Sequence, residues 1–314
     1  MINRRHIRLK VMQSLYAYFT SKEIDLVKAE KQMLHQIESI KELYFLLLSL
    51  LPALAQFSKV FLDEQKNKHF PTDSDKNPSD KFVNNQLIEL VLADEQLSKQ
   101  LEKVSGIWHN NDHNVIRKLF IEIWKSDIYK QHLANNDTSF HSDQDFILMI
   151  LNNVVFQNKL IHHILDEKSI FWSDDLPFIA NIIFSQIKST KQNGCFPKNN
   201  VAFKNKADKE FAINLFKKTI LNHKEYEVII IEKAKNWDLE RIAIMDQIMI
   251  KMALCELLCF AEIPIKVSLN EYIEVSKYYS TNKSKSFING ILDKVISEYR
   301  KNGKIKKVGR GLLE

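Results

Sequence analysis

Arg4, Arg5 and Arg8, followed by Lys10 and accompanied by no acid among the first twelve residues, concentrate positive charge on one short segment. Guanidinium forks at this density suit phosphate oxygens. Residues 300–314 repeat the bias, with Arg300, Lys301, Lys304, Lys306, Lys307 and Arg310 against Glu314 alone. Of the formal net charge of +6, the two ends hold +9 and the rest of the chain about −3. That asymmetry is expected of a chain that meets a polyanion, with merely solvated termini as the plain alternative. Tyr16, Tyr18 and Phe19 lie just beyond the arginines, where aromatic rings either stack on unpaired bases or fill a core. Tyr16 is offset from the Ile7, Val11, Leu15 stripe and is the stacking candidate, whereas Phe19 is expected to pack inward.

Other chemistry is thinly represented. No Gly-rich phosphate loop, nucleophile elbow, CxxC pair or HExxH helix occurs, so no catalytic residue, metal or cofactor is expected. His109 and His113 have metal-ligand spacing but straddle an Asn-Asn-Asp turn and lack evident partners. Cys255 and Cys259 share a helix face among Leu254, Leu257, Leu258 and Phe260, the setting of ordinary buried thiols. His162 and His163 point two ways from an apolar helix and suggest no site.

The elements that must position these residues read as helices. Six Gly and six Pro in 314 residues, with 45% hydrophobic residues, favour long helices and a substantial core. Three cysteines give no disulfide framework, the basic start lacks a signal-peptide core, and the apolar run near Tyr44 to Leu51 is too short for a bilayer, so a cytoplasmic location is expected. The triplets at Asn136 and Asn282 then carry no glycan. Helix periodicity places one helix over 3–19. Thr20 with Glu23 reads as a capping box opening a second helix to about Leu51, which Pro52 kinks or restarts. Residues 67–80 form a loop. Helices follow at 81–105, 114–134, 143–167 and 176–191. Beyond a connector at 194–207, Asp208 caps a helix to about His223, and further helices cover 224–236, 239–261, 267–279 and 284–301. Ser268 with Glu271 reads as a cap, and Gly290 as a point of close helix approach. Asn270 and Asn289 read as structural hydrogen-bonding groups.

Residues 236–299 carry an ordered set of short elements: Trp237, then Leu239-Glu240-Arg241-Ile242, Asp246, Lys251-Met252-Ala253, Glu256-Leu257, Ile263-Pro264, Lys266-Val267, Asn270-Glu271, Glu274, Lys277 and the run from Phe287 to Lys294. This stretch resembles the C-terminal half of the NusB transcription antitermination family. Residues 4–19 resemble that family's arginine-rich first helix, with Gln13, Leu15 and Tyr16 at family-like places. The resemblance implies an all-α, NusB-like helical bundle with a large helical insertion. Residues 1–20 would be the first helix, 21–205 the insertion or extension, 206–303 the C-terminal half and 304–314 a basic tail, with part of residues 22–50 a candidate for a further family helix.

The resemblance also implies a non-enzymatic factor that binds a single-stranded, boxA-like ribosomal leader RNA jointly with NusE, a small-subunit ribosomal protein, in the RNA polymerase elongation complex. Arg4, Arg5 and Arg8 fall on the arginine motif, and His6 replaces a commonly basic position. Tyr16 falls on an aromatic position, and Phe287 on an RNA-proximal one preceded by Lys283 and Lys285. Asp246 and Glu256 match acidic positions near the NusE-facing helices, although Glu256 is equally a candidate for an intrahelical ion pair. Two other readings stand beside this one. An RNA cytosine methyltransferase carries a NusB-like domain, but only a short tail follows it here. An interaction module that has lost RNA binding would retain the fold without needing the terminal charges.

Overall fold

The computed structural model describes residues 2–21, 25–70, 72, 76–109, 114–172, 174–197, 202–234, 241–281 and 283–313. Among the described residues there is no strand. In chain order, α1 spans Arg4–Thr20, α2 Leu26–Leu48 and α3 Leu50–Lys66. Next come α4 (Gln86–Ala93), α5 (Glu95–Ser105), α6 (Val115–Lys125), α7 (Asp127–Ala134), α8 (Phe140–Ile150), α9 (Lys159–Lys168) and α10 (Leu176–Ser189). The last five are α11 (Lys206–Leu221), α12 (His223–Lys233), α13 (Ile244–Cys259), α14 (Ile265–Tyr279) and α15 (Ser284–Lys301). The chain forms two compact units, one of residues 1–38 with 202–314 and one of residues 39–201, with the boundary inside α2.

The first unit is organised around α13. This helix is apolar on every side, so it is stable only when surrounded, and Ile248 to Leu257 are all buried. Helices α1, α11, α12, α14 and α15 pack against it. From α1 come Ile7, Val11 and Leu15, all fully buried. The first half of α2 adds Ala29, Met33 and Ile37. It is tied down by Ser14 Oγ donating to Gln36 Oε1 at 3.1 Å and by Lys217 Nζ against Glu30 Oε2 at 2.7 Å. A chain that joins residues 1–20 to 206–314 through a Gly/Ser linker loses these three buried side chains. It is therefore expected to melt early or aggregate. A cooperative thermal transition at the full-length midpoint, followed by circular dichroism, would contradict this packing.

The second unit is held by an aromatic cluster in which Phe82, Phe120, Tyr129 and Phe146 meet mostly edge to face, with centroids 5.6–6.3 Å apart. Trp108 donates its indole N–H to Ser49 Oγ at 2.9 Å, satisfying a buried polar group at the break between α2 and α3. A window within residues 26–66 is long and apolar enough to cross a membrane by length and composition. It is also 61% buried inside the protein, as in a core helix.

Several expected helices are shorter than their apolar patterns because internal polar residues restart the chain. Asp94 accepts from the backbone of Gln96 and Leu97 and divides 81–105 in two. Ser126 does the same for 114–134, and a π-helical turn at Leu151–Val155 with a cap from Asn158 divides 143–167. Thr20 ends α1 and donates to Tyr16 O, and Asp25 caps α2 instead. Glu23, His113, Trp237, Leu239, Glu240 and Asn282 lie outside the described residues. The cap of α11 is Asn205, not Asp208. Gly290 does not mark a close approach, since a Cβ added there would meet nothing within 4 Å. Gly290→Ala is accordingly expected to stabilise the protein by up to about 1 kcal/mol through helix propensity. A fall in the urea midpoint would show that something crowds this position.

Candidate nucleic-acid interface

Asn3 caps α1 by accepting from His6 N at 2.8 Å, which starts the helix directly before the arginines. A 3.6-residue period then turns the three arginines to different surroundings. Arg8 is only 3% exposed and forms a two-pronged pair with the fully buried Glu256 of α13, at 2.8 Å (Nε to Oε2) and 2.6 Å (Nη2 to Oε1). Ser268 Oγ and Tyr272 OH also donate to Glu256, at 2.7 and 3.0 Å, and Glu271 lies 3.7 Å from Arg8. Burial works against the charged guanidinium, and the hydrogen bonds and charge of Glu256 overcome it, holding the Arg8 pKa above its usual value. Burial likewise raises the Tyr272 hydroxyl, with the Glu256 charge adding to the effect.

This arrangement corrects three sequence readings. Arg8 is an internal tie and not a phosphate contact. Glu256 pairs between helices and not within one, and it presents no carboxylate to a docking protein. Ser268 does not cap α14, which Pro264 precedes, but anchors Glu256.

Arg4 and Arg5 remain half-exposed. Arg4 Nε donates to Asp208 Oδ1 at 3.1 Å, and its guanidinium lies 5.0 Å from the Phe211 ring centre. Arg5 is 54% exposed and bonds both oxygens of Glu271 at 2.9 Å. Its pKa is raised mainly by that hydrogen bonding. His6 is buried, so it is not part of the exposed face.

Tyr16 is 42% exposed. Eleven residues separate it from Arg5, about three turns, so the two share a helix face roughly 16 Å apart. Tyr18 and Phe19 are half-buried, Tyr18 against Phe216 and Phe19 against His223 and Lys251.

At the start of α15, Lys283 and Lys285 are exposed and Phe287 is half-buried. The Glu274 carboxyl sits below its usual range chiefly through a hydrogen bond from Lys277, with the charges of Arg5 and Lys285 contributing. The charges of Arg5 on α1 and Lys285 on α15 thus both act on one carboxylate of α14.

Asp246 is 5% exposed and accepts a short hydrogen bond from Ser280 Oγ, which together with Thr281 meets Ser284 Oγ at the turn into α15. Asp246, which the resemblance places near the NusE-facing helices, is thus an internal brace. The basic tail is also partly internal. Lys307 Nζ reaches Phe260 O at 2.9 Å, where the α13 carbonyls run out, and burial lowers its pKa. A Cβ on Gly311 would lie 2.0 Å from Ala261 O, which only glycine avoids. Lys304, Lys306 and Arg310 stay exposed.

Charge separates the two units: the first carries 28 Lys and Arg against 19 Asp and Glu, the second 17 against 20. A polyanion is therefore drawn to the first.

The NusB family model matches residues 179–297, a span that includes α11 to α14 and most of α15. The Transcription antitermination protein NusB of Salinibacter ruber (strain DSM 13855 / M31) is 42% identical over 105 residues, which is 33% of this chain and 66% of that protein. The protein of the same name from Chloroherpeton thalassium (strain ATCC 35110 / GB-78) is 41% identical over 106 residues, 34% of this chain and 50% of its own length. That of Oleidesulfovibrio alaskensis (strain ATCC BAA-1058 / DSM 17464 / G20) is 43% identical over 83 residues, 26% of this chain and 54% of its own. The match thus spans half to two thirds of these relatives' length. No solved structure matches. The matched span holds Glu256, Glu271 and Asp208, the three carboxylates that seat the arginines of α1, and this part of the chain is a NusB-family domain.

Proposed function

We propose that this protein is a non-enzymatic transcription antitermination factor that binds a single-stranded, boxA-like segment of ribosomal leader RNA together with NusE, within the RNA polymerase elongation complex. The observation that carries this reading is the exposure, in the first unit, of Arg5 and Tyr16 on one face of α1 and of Lys285 on α15, which we read as one strip because the charges of Arg5 and Lys285 both act on Glu274. A cation-rich strip with one accessible aromatic suits an unpaired strand, whose phosphates need neutralising and whose bases offer flat faces.

Lys283 and Phe287 extend the strip, and Arg4 flanks it. Arg5 would exchange its exposed bond to Glu271 for a phosphate at small cost, because an exposed pair is worth little in water. Asp246 and Glu256 would act on NusE only indirectly, by holding the helices that NusE meets.

The test is filter binding of the full-length protein to its ribosomal leader RNA, with and without NusE. Saturable binding that NusE tightens is expected. Binding no tighter than to an unrelated single strand, with NusE present, would overturn the proposal.

A further inference from the structure

The second unit contains a cavity of about 370 Å³ between α2 and α5. Tyr44 and Phe45 of α2, Leu97 of α5 and Pro197 make its apolar walls, and Lys41, Lys99 and Lys103 contribute the charges of its lining. The helix period explains the sorting. On α5, Gln96, Lys99, Gln100 and Lys103 recur at three- and four-residue steps and share the cavity face. Glu95 lies one turn before Lys99 and bonds it outside the lining, and Glu102 lines a different hollow. Among the described residues no carboxylate lines the cavity, although α5 carries as many acids as lysines. On α2, Glu42 lines a different hollow, which Lys103 also borders.

Burial pushes the Tyr44 hydroxyl up to about 12, against a smaller opposing hydrogen bond with Gln186, so the wall stays neutral at physiological pH. Lys41 Nζ lies 5.8 Å from the Phe45 ring centre, which gives one cation a fixed place beside the aromatic wall. Lys99 bonds Glu95 at 2.6 Å, but both side chains are well exposed, so a ligand anion can displace that bond.

Three cations border an apolar slot whose lining holds no carboxylate among the described residues. Glu95, which bonds Lys99, is exposed and lies outside that lining, so the slot is complementary to one kind of occupant. We propose that this cavity binds a small amphipathic anion, its acidic head held by Lys41, Lys99 and Lys103 and its apolar body lying against Phe45 and Leu97. The volume is that of a small-molecule site. The cavity lies wholly within the second unit and owes nothing to the RNA strip, so the two readings stand or fall separately.

The test is calorimetric titration of the full-length protein with 1-naphthyl phosphate, decyl phosphate and neutral 1-naphthol. At least one phosphate is expected to bind with unit stoichiometry and to weaken with added salt. A tighter naphthyl compound identifies an aromatic body, and a tighter decyl compound an acyl-chain body. The combined Lys41→Gln, Lys99→Gln, Lys103→Gln variant, altered only at exposed positions, is expected to lose about tenfold in affinity or more. Leu97→Trp is expected to fill the slot and abolish binding with helicity unchanged. The proposal is overturned if neither phosphate saturates at millimolar concentration. It is equally overturned if naphthol binds as tightly as its phosphate, or if both variants bind like the unaltered protein.

Discussion

Glu256→Ala is expected to destabilise the first unit by about 3–5 kcal/mol, because it leaves the Arg8 guanidinium buried without its counter-charge. Three donors converge on this carboxylate, from Arg8, Ser268 and Tyr272, so its loss also orphans two hydroxyls. The cost belongs to the broken pair and not to the absence of charge as such. The double replacement Arg8→Met with Glu256→Leu removes both ions and fills similar volume, so it is expected to recover the part of the loss due to the unpaired charge, while the Ser268 and Tyr272 hydroxyls still lack their acceptor. Urea unfolding followed by circular dichroism measures all three proteins. A Glu256→Ala midpoint near that of the unaltered protein would show that Arg8 finds water, and that the pair does not hold α1 to α13.

The second large effect is on RNA. Combining Arg5→Ala, Lys283→Ala and Lys285→Ala removes three exposed cations from one strip. Affinity for the leader RNA is expected to fall by roughly 10- to 100-fold at physiological salt, and the slope of log affinity against log salt to flatten by about 2. The Arg8→Met, Glu256→Leu protein provides the contrast. It too loses an arginine of the α1 segment, but a buried one, and is expected to bind RNA almost unchanged. Equal losses in the two proteins would mean that net charge and not the strip governs binding.

The helical class was legible from composition, and the central helix, Ile244–Cys259, lies within the helix expected over 239–261. The internal caps at Asp94, Ser126 and Asn158 were not. Each is a single polar residue within an apolar pattern, and whether it caps or merely faces solvent depends on how the next segment packs.

At the site, the charge of the N-terminal segment was plain, and Tyr16 stood out by its offset from the buried stripe. The division of labour among the arginines was hidden, because it depends on carboxylates more than 200 residues away. Asp208 meets Arg4, Glu271 meets Arg5 and Glu256 meets Arg8. Spacing along one helix says which residues share a face, but not which face a distant helix will cover. Gly290 misled for a related reason, since a glycine within a helix is read as close approach until the neighbouring space is seen to be open.

The most direct measurement is photocrosslinking of a boxA-like leader RNA carrying photoreactive bases, with the adducts mapped by mass spectrometry on the full-length protein in the presence of NusE. Adducts are expected on α1 at or beside Tyr16 and on α15 at or beside Phe287, since these rings flank the exposed cations. Adducts confined to residues 39–201, or to NusE alone, would contradict the assignment of RNA binding to the strip between α1 and α15.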